Sequence, residues 1–168
     1  MAIPVYLWLK DDGGADIKGS VDVTGRECSI EVLAINHSVS LPTDNNTGKI
    51  AGKRIHSSFG FDKEIDSSSP YLYKAICTGQ TLDSAEFRYY RINDSGQEEL
   101  YFTATLEAVK VVSVMPLMYD IKSAYGEARN HLEAIELRYE KITWRYLDGN
   151  ISHSDAWNER ATVKEQHK

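Results

Sequence analysis

Hydrophobic and polar residues alternate with a period of two along most of this chain, the pattern of strands that bury one face. Residues 4–9, PVYLWL, form a short strand with large side chains on both faces, and the run KDDGGADIKGS after it carries the paired Gly and Asp of a turn. Residues 29–41, SIEVLAINHSVSL, read as one long strand. Leu33, Ile35, His37, Val39 and Leu41 share one face, and Ala34, Asn36, Ser38 and Ser40 share the other, small and polar one. Ile30 and Val32 fall on that second parity, so the strand is either covered on both faces near its start or bent there by a bulge.

Residues 42–53, PTDNNTGKIAGK, break the alternation with Pro, Asp, two Asn and two Gly around Ile50, the one large apolar side chain. Loops this long inside compact domains are functional or disordered, and the residues alone leave both readings open. Alternation resumes with Ile55, Phe59 and Phe61 on odd positions and His56, Ser58, Asp62 and Glu64 on even ones. The period then changes to that of a helix. Ser67, Ser68 and Ser69 are candidate N-caps, Pro70 suits a first helical position, and Gly79 suits a left-handed stop. Leu72, Tyr73, Ala75 and Ile76 fall on one side, and a helix this short needs an apolar surface to lie on.

Beyond the helix, SAEFRYYRI and ELYFTATLEAVKVVSVMPLMY read as strands joined by the turn NDSGQE, in which Asp94 and Gly96 suit a hairpin. Leu100, Phe102, Ala104, Leu106 and Ala108 form one face, and the parity change at Val109 and Val111 predicts a long strand that curves. Residues 119–130 are a polar excursion in which Gly126 interrupts any helix. Residues 131–147 give a last long strand whose phase flips between Tyr139 and Ile142, which implies a bend. Asp148 and Gly149 turn the chain into a final short strand, ISHSDAWNE, before a frayed end. Many strands and one helix predict a mainly β fold, closed or nearly closed, with the helix covering part of it.

Composition narrows the function. At 168 residues, 42% hydrophobic and 26% charged, the chain suits one globular domain. Its formal charge of −6 argues against nucleic acid, which requires a concentrated basic surface. No apolar run approaches a membrane span, so membrane insertion is not expected, and the N-terminus has no basic segment before its short apolar run, so no ordinary signal peptide is expected either. The two cysteines lack metal or redox spacing; Cys77 reads as a small buried hydrophobe and Cys28 as a residue near an exposed strand start. No G-x-S-x-G occurs, and His37, His56, His131, His153 and His167 have no ligand spacing. His37 reads as a hydrogen-bonded core residue. The ten tyrosines sit at positions suited to packing more than to sugar stacking. No catalytic residue, metal or cofactor is expected.

The segments PVYLWLKDDGGADIKGSVDV, IEVLA, KEIDSSSPYLYKA, YFTATLEAVKVVSV and HLEAIELRYEKITWRYLDGNISHSDAWNE resemble the Hcp family, the haemolysin-coregulated tube proteins of bacterial type VI secretion systems. KEID followed by SSP and a short helix is the most specific piece. The resemblance implies a small β-barrel of two antiparallel sheets with one flanking short α-helix, a tube domain over residues 1–160 and a flexible tail over 161–168. It implies a structural protein whose six copies close into a ring, with rings stacking into the inner tube of the secretion machine. The implied partners are further copies of the chain, a spike protein (VgrG), a contractile sheath and small effector proteins in the lumen, with a cytoplasmic stage before secretion. Residues 42–50 (Pro42, Thr43, Asp44, Asn45, Asn46, Thr47, Gly48, Lys49, Ile50) match the loop that contacts a neighbouring ring, and Ala34, Asn36 and Ser38 would face the lumen. Cys28 departs from the family pattern, which has glycine there, and opens the possibility of a thiol, natural or engineered, that crosslinks rings. The reading of different class is a β-sandwich carbohydrate-binding or adhesion module with an exposed aromatic platform.

Overall fold

The computed structural model describes residues 3–156. Its described strands fall into a ten-stranded and a two-stranded antiparallel sheet. The large sheet is built outward from β9 (Glu98–Leu117), which takes β8 (Thr81–Ile92) along one edge. Along the other edge β9 takes β11 (Lys141–Tyr146) and then β10 (Leu132–Arg138). β1 (Val5–Lys10) continues the path beyond β8, with β2 (Asp16–Ile17) and β3 (Ile30–Val32) on its free edge. β7 (Phe59–Glu64) continues it beyond β10 and carries β4 (Ala34–Asn36). β12 (Ile151–Ala156) pairs with β11. The parity changes read in the sequence mark real bends: Ala108 takes φ 53° between the register shifts of β9, and the chain breaks between β10 and β11 at Tyr139 and Glu140.

The sheet does not close into the expected barrel. The expected strand over residues 29–41 is instead three short pieces, β3, β4 and β5 (Val39–Ser40), that serve different partners. Ile30 and Val32 are buried against the β1 side, Leu33 is exposed, and β4 then pairs with β7, so the path stays open at Leu33. The flip from Val32 to Leu33 is therefore a strand changing its neighbour. Of the expected apolar face only Ile35 and His37 are partly buried, while Leu33, Val39 and Leu41 are exposed. A second correction concerns residues 55–61. His56 is buried and Ile55 is exposed, because β6 (Ile55–His56) belongs to the two-stranded sheet with β5 and the chain breaks at Ser57 and Ser58 before β7 begins.

The core lies inside the curve of the large sheet and includes Leu7, Phe59, Phe61, Phe87, Leu106, Ile135 and Ile142. Helix α1 (Ser69–Thr78) packs on β9 with Leu72 and Ala75 buried and Ile76 half-buried, while Tyr73 points out. Gly79 ends it at φ 66°, and Pro70 stands in the first turn, both as the residues predict. Cys77 is exposed and not buried, since it falls on the opposite side from Leu72 and Ala75.

The serines before α1 do something other than capping. Ser68 occupies the N-cap position but its hydroxyl donates to Asp66 Oδ1, and Ser67 Oγ donates to Lys18 O. Ser69 Oγ donates to Glu133 Oε1 at 2.6 Å and accepts from Lys63 Nζ at 3.1 Å. Lys63 and Glu133 are both fully buried, pair at 2.5 Å, and tie β7, β10 and the start of α1 into one knot. A buried ion pair contributes little net stability but fixes which strands and helix meet, because breaking it strands a charge in the core. The expected boundary at residue 160, the tail 161–168 and the end of the last strand lie outside the described residues.

Candidate assembly surfaces

Residues 41–55 leave the body as a projecting arm. β5 and β6 form its base, Thr43 and Ile50 bridge further out, and Gly48 takes φ 69° in the tip turn where Asp44 accepts from Asn46 N–H. None of these residues is buried, and Leu41, Ile50 and Ile55 are apolar side chains facing solvent. A two-stranded hairpin has no core of its own and is marginal in water without something to pack on. The loop reading of residues 42–53 thus becomes an extended hairpin.

A polar cluster fastens the arm to the body. Arg54 Nε donates to Asp155 Oδ2 at 2.5 Å, and His56 Nε2 lies 2.8 Å from the same oxygen. On its other side His56 Nδ1 meets the Tyr139 hydroxyl at 2.6 Å, and that hydroxyl also meets His37 Nε2 at 2.8 Å. Since a phenol has one proton, Tyr139 donates to one histidine and accepts from the other. Arg138 Nη1 closes the cluster by donating to His56 O. Burial, with His56 adding to it, holds the His37 imidazole below its ordinary pKa, and burial pushes the Tyr139 hydroxyl up to about 12. The Arg54 hydrogen bond holds Asp155 below the usual carboxylate range. Sequence reasoning found His37 as a hydrogen-bonded residue but not its partner, which lies 102 positions away.

Ala34, Asn36 and Ser38 are all exposed, as are Leu33, Val39 and Leu41 of the opposite parity. Across the sheet Ala34 is level with Asp62, Ala134 and Met115, and Asn36 with Gly60, Glu136 and Ser113. The result is a concerted surface of small and acidic residues. Asp62 and Glu136 were not singled out from sequence, although their parity opposite Phe61 and Ile135 was a sufficient signal. Cys28 is exposed at φ 64°, the left-handed region, in the turn where its N–H donates to Val21 O.

Among the described residues Tyr71 and Tyr73 are exposed on α1, while several other ring faces lie under a cation. Arg26 lies 3.8 Å over the Tyr90 ring, Arg88 4.0 Å over Trp8 and Arg129 3.9 Å over Tyr125. Guanidinium groups thus cover ring faces that a carbohydrate-binding module would leave bare. Among the described residues no cluster of three or more His, Cys, Asp or Glu is placed to hold a metal ion, and no helix is long and apolar enough to cross a membrane.

An open, bent antiparallel sheet with one flanking helix and a projecting arm defines the chain as a mainly β protein. Comparison makes this specific: the family described as "Type VI secretion system effector, Hcp" matches residues 6–146, and the chain belongs to that family. The Major exported protein of Pseudomonas aeruginosa is 31% identical over 166 residues, covering 94% of this chain and 96% of that one. The structure of a doubly substituted Hcp1 protein from E. coli EAEC 042 is 68% identical, with a TM-score of 0.84 over 93% of this chain and 99% of that one. Secreted protein Hcp3 of Pseudomonas aeruginosa is 26% identical, with a TM-score of 0.77 over 94% of this chain and all of its own (100%). The protein is a structural component of the type VI secretion system and is of a secreted kind; nothing in these relatives favours a carbohydrate-binding or adhesion module.

Proposed function

We propose that this chain is the subunit of the inner tube, that six copies close into a ring, and that residues 42–50 join one ring to the next. It acts without catalysis, as a conduit and projectile. The observation that carries the reading is the arm: an exposed, mostly polar hairpin that holds Leu41, Ile50 and Ile55 open to solvent and is held at its root by Arg54, His56 and Asp155. A protein does not fix such an element rigidly unless something meets it. Ala34, Asn36 and Ser38 line the lumen in this arrangement, where their small polar side chains suit water and small effector proteins. The spike protein, the contractile sheath and a cytoplasmic stage before firing follow from the same role. Cys28, exposed at the start of its strand, can crosslink neighbouring rings under oxidising conditions, which gels run with and without reductant report.

Native mass and negative-stain images of the purified protein test the ring, and deletion of residues 45–49 tests the arm. The expected result is closed rings for both proteins and stacked rings only for the unmutated one. Monomers would overturn the tube reading, and full-length stacks from the deletion variant would overturn the assignment of the arm.

A further inference from the structure

The cluster at the root of the arm holds two histidines in unlike surroundings. His56, on β6, is 4% exposed, and both its ring nitrogens are engaged, Nδ1 with the Tyr139 hydroxyl and Nε2 with Asp155. His37, which follows β4, is only half-buried, its ring 4.9 Å from that of Phe59. Among the described residues only Nε2 of His37 has a hydrogen-bond partner, and Nδ1 is not one of the buried polar atoms that lack one, so Nδ1 opens to water. The other charged or titratable groups facing the pair are Arg54 on Asp155, Arg138 on the His56 carbonyl, and His153, stacked at 6.2 Å on Trp144, which lies 6.5 Å from His37.

The direction of every hydrogen bond in this series is set from its inner end. Arg54 holds Asp155 below the usual carboxylate range, so its oxygens are ionised and only accept. His56 Nε2, 2.8 Å from one of them, therefore carries a proton, and a neutral imidazole protonated there has only an acceptor left at Nδ1. The Tyr139 hydroxyl donates to that acceptor at 2.6 Å, which leaves its oxygen to accept from His37 Nε2–H at 2.8 Å. His37, Tyr139 and His56 thus all point their protons the same way, from the water side inward.

We propose that His37, Tyr139 and His56 form a proton wire that charges the root of the arm without unfastening it. A proton from water bonds to His37 Nδ1, the proton on His37 Nε2 passes to the Tyr139 oxygen, and the original phenolic proton passes to His56 Nδ1. One N–H or O–H bond forms for each that breaks, the hydronium ion becomes water, and the positive charge comes to rest on His56 beside the Asp155 carboxylate. The two hydrogen bonds of Tyr139 to the histidines are reversed and neither is lost. Burial keeps the charge from staying on His37, and a charged His56 adds to that. His37 ends neutral with its proton on Nδ1, so a change in the buried interior is displayed at a nitrogen that faces water, one residue from Asn36. The switch is independent of what the arm meets.

The test is solid-state NMR of the sedimented protein, with isotope-labelled histidine and aspartate, from about pH 8 to about pH 5, the range in which histidine ordinarily changes charge. Ring-nitrogen shifts report the tautomer and charge of each histidine. As pH falls His56 is expected to pass from Nε2–H to doubly protonated, while His37 exchanges Nε2–H for Nδ1–H at the same midpoint and stays neutral. The contact between His56 Nε2 and the Asp155 carboxyl is expected at both ends of the range. In Tyr139→Phe, which keeps the ring and removes the hydroxyl, the exchange of tautomer at His37 is lost. The unmutated protein decides the question even where that variant does not fold. A His37 that keeps Nε2–H while His56 charges, a His37 that charges first, or a His56 that stays neutral throughout overturns the wire, and so does a tautomer exchange that survives in Tyr139→Phe. Loss of the His56–Asp155 contact at the acid end overturns the claim that the arm stays fastened.

Discussion

Cys28 holds φ at 64°, a region that costs a residue with a side chain about 1–2 kcal/mol. Glycine, the residue that the family resemblance implies at this position, would suit the angle. Cys28→Gly is expected to raise stability by about 0.5–1 kcal/mol, the relieved strain less the added freedom of the unfolded chain, read as a higher urea midpoint at unchanged slope. The left-handed angle was not legible in the sequence, since only the fold reveals what the turn requires. Asp155 gives a second prediction. Its folded pKa is depressed by Arg54 and His56, so its contribution is present above the ordinary carboxylate value near 3.8 and is lost as pH falls through the lower folded value. The difference in thermal midpoint between the unmutated protein and Asp155→Asn should therefore be present at about pH 5 and vanish towards about pH 2.

Elements were easier to read than their partners. Pro70, Gly79 and the change of period gave α1 its limits, and the parity flips located the bends at Leu33, Ala108 and Tyr139. What tied the elements together was harder, because it depends on residues far apart in the chain. Lys63 continues the parity of Phe59 and Phe61, and Glu133 that of Ile135 and Leu137, so each was visibly aimed at the core. Their opposite charges were the available clue that they meet. The triple serine misled for a related reason: Ser is a good cap in isolation, but here Ser69 is recruited by the buried pair. Glu133→Ala is expected to cost about 1–3 kcal/mol, less than an unpaired buried charge would, because Lys63 keeps Asp66 Oδ1 at 3.0 Å, and the loss is measured by urea unfolding. If the single change costs under about 1 kcal/mol, the knot does not anchor α1.

For the whole molecule the mainly β class followed from periodicity, but the number of strands and the openness did not, because the stretch over residues 29–41 changes neighbours at Leu33, whose N–H donates to Asp62 O while Val32 pairs with β1. The arm was legible in part: its composition marked residues 42–53 as a break in the alternation, but not as a hairpin. The inward direction of Asn36 is testable in the assembled state. In a background with Cys28 and Cys77 changed to Ser, Asn36→Cys should react with a small maleimide in both rings and tubes. A maleimide carried on a folded protein wider than the lumen should label it only before tubes close. Equal labelling of tubes by both reagents would place Asn36 on the outside.

Residues 98–110 of the twenty-residue β9 pair with β8 before the chain reaches the turn at residues 119–130, and β9 pairs with β10 and β11 only after it. This sets an order on the making of the protein. The β8–β9 hairpin, closed by Asn93 and Gly96, forms from neighbours in sequence and is fast. The second edge of β9 must then wait, unpaired, until another thirty or so residues have been synthesised, a delay of seconds at ordinary translation rates. During that interval the nascent chain presents a long bare strand, the form most prone to pair with a copy of itself. Chaperone dependence and yield on overexpression are therefore expected to respond to substitutions on the waiting edge of β9.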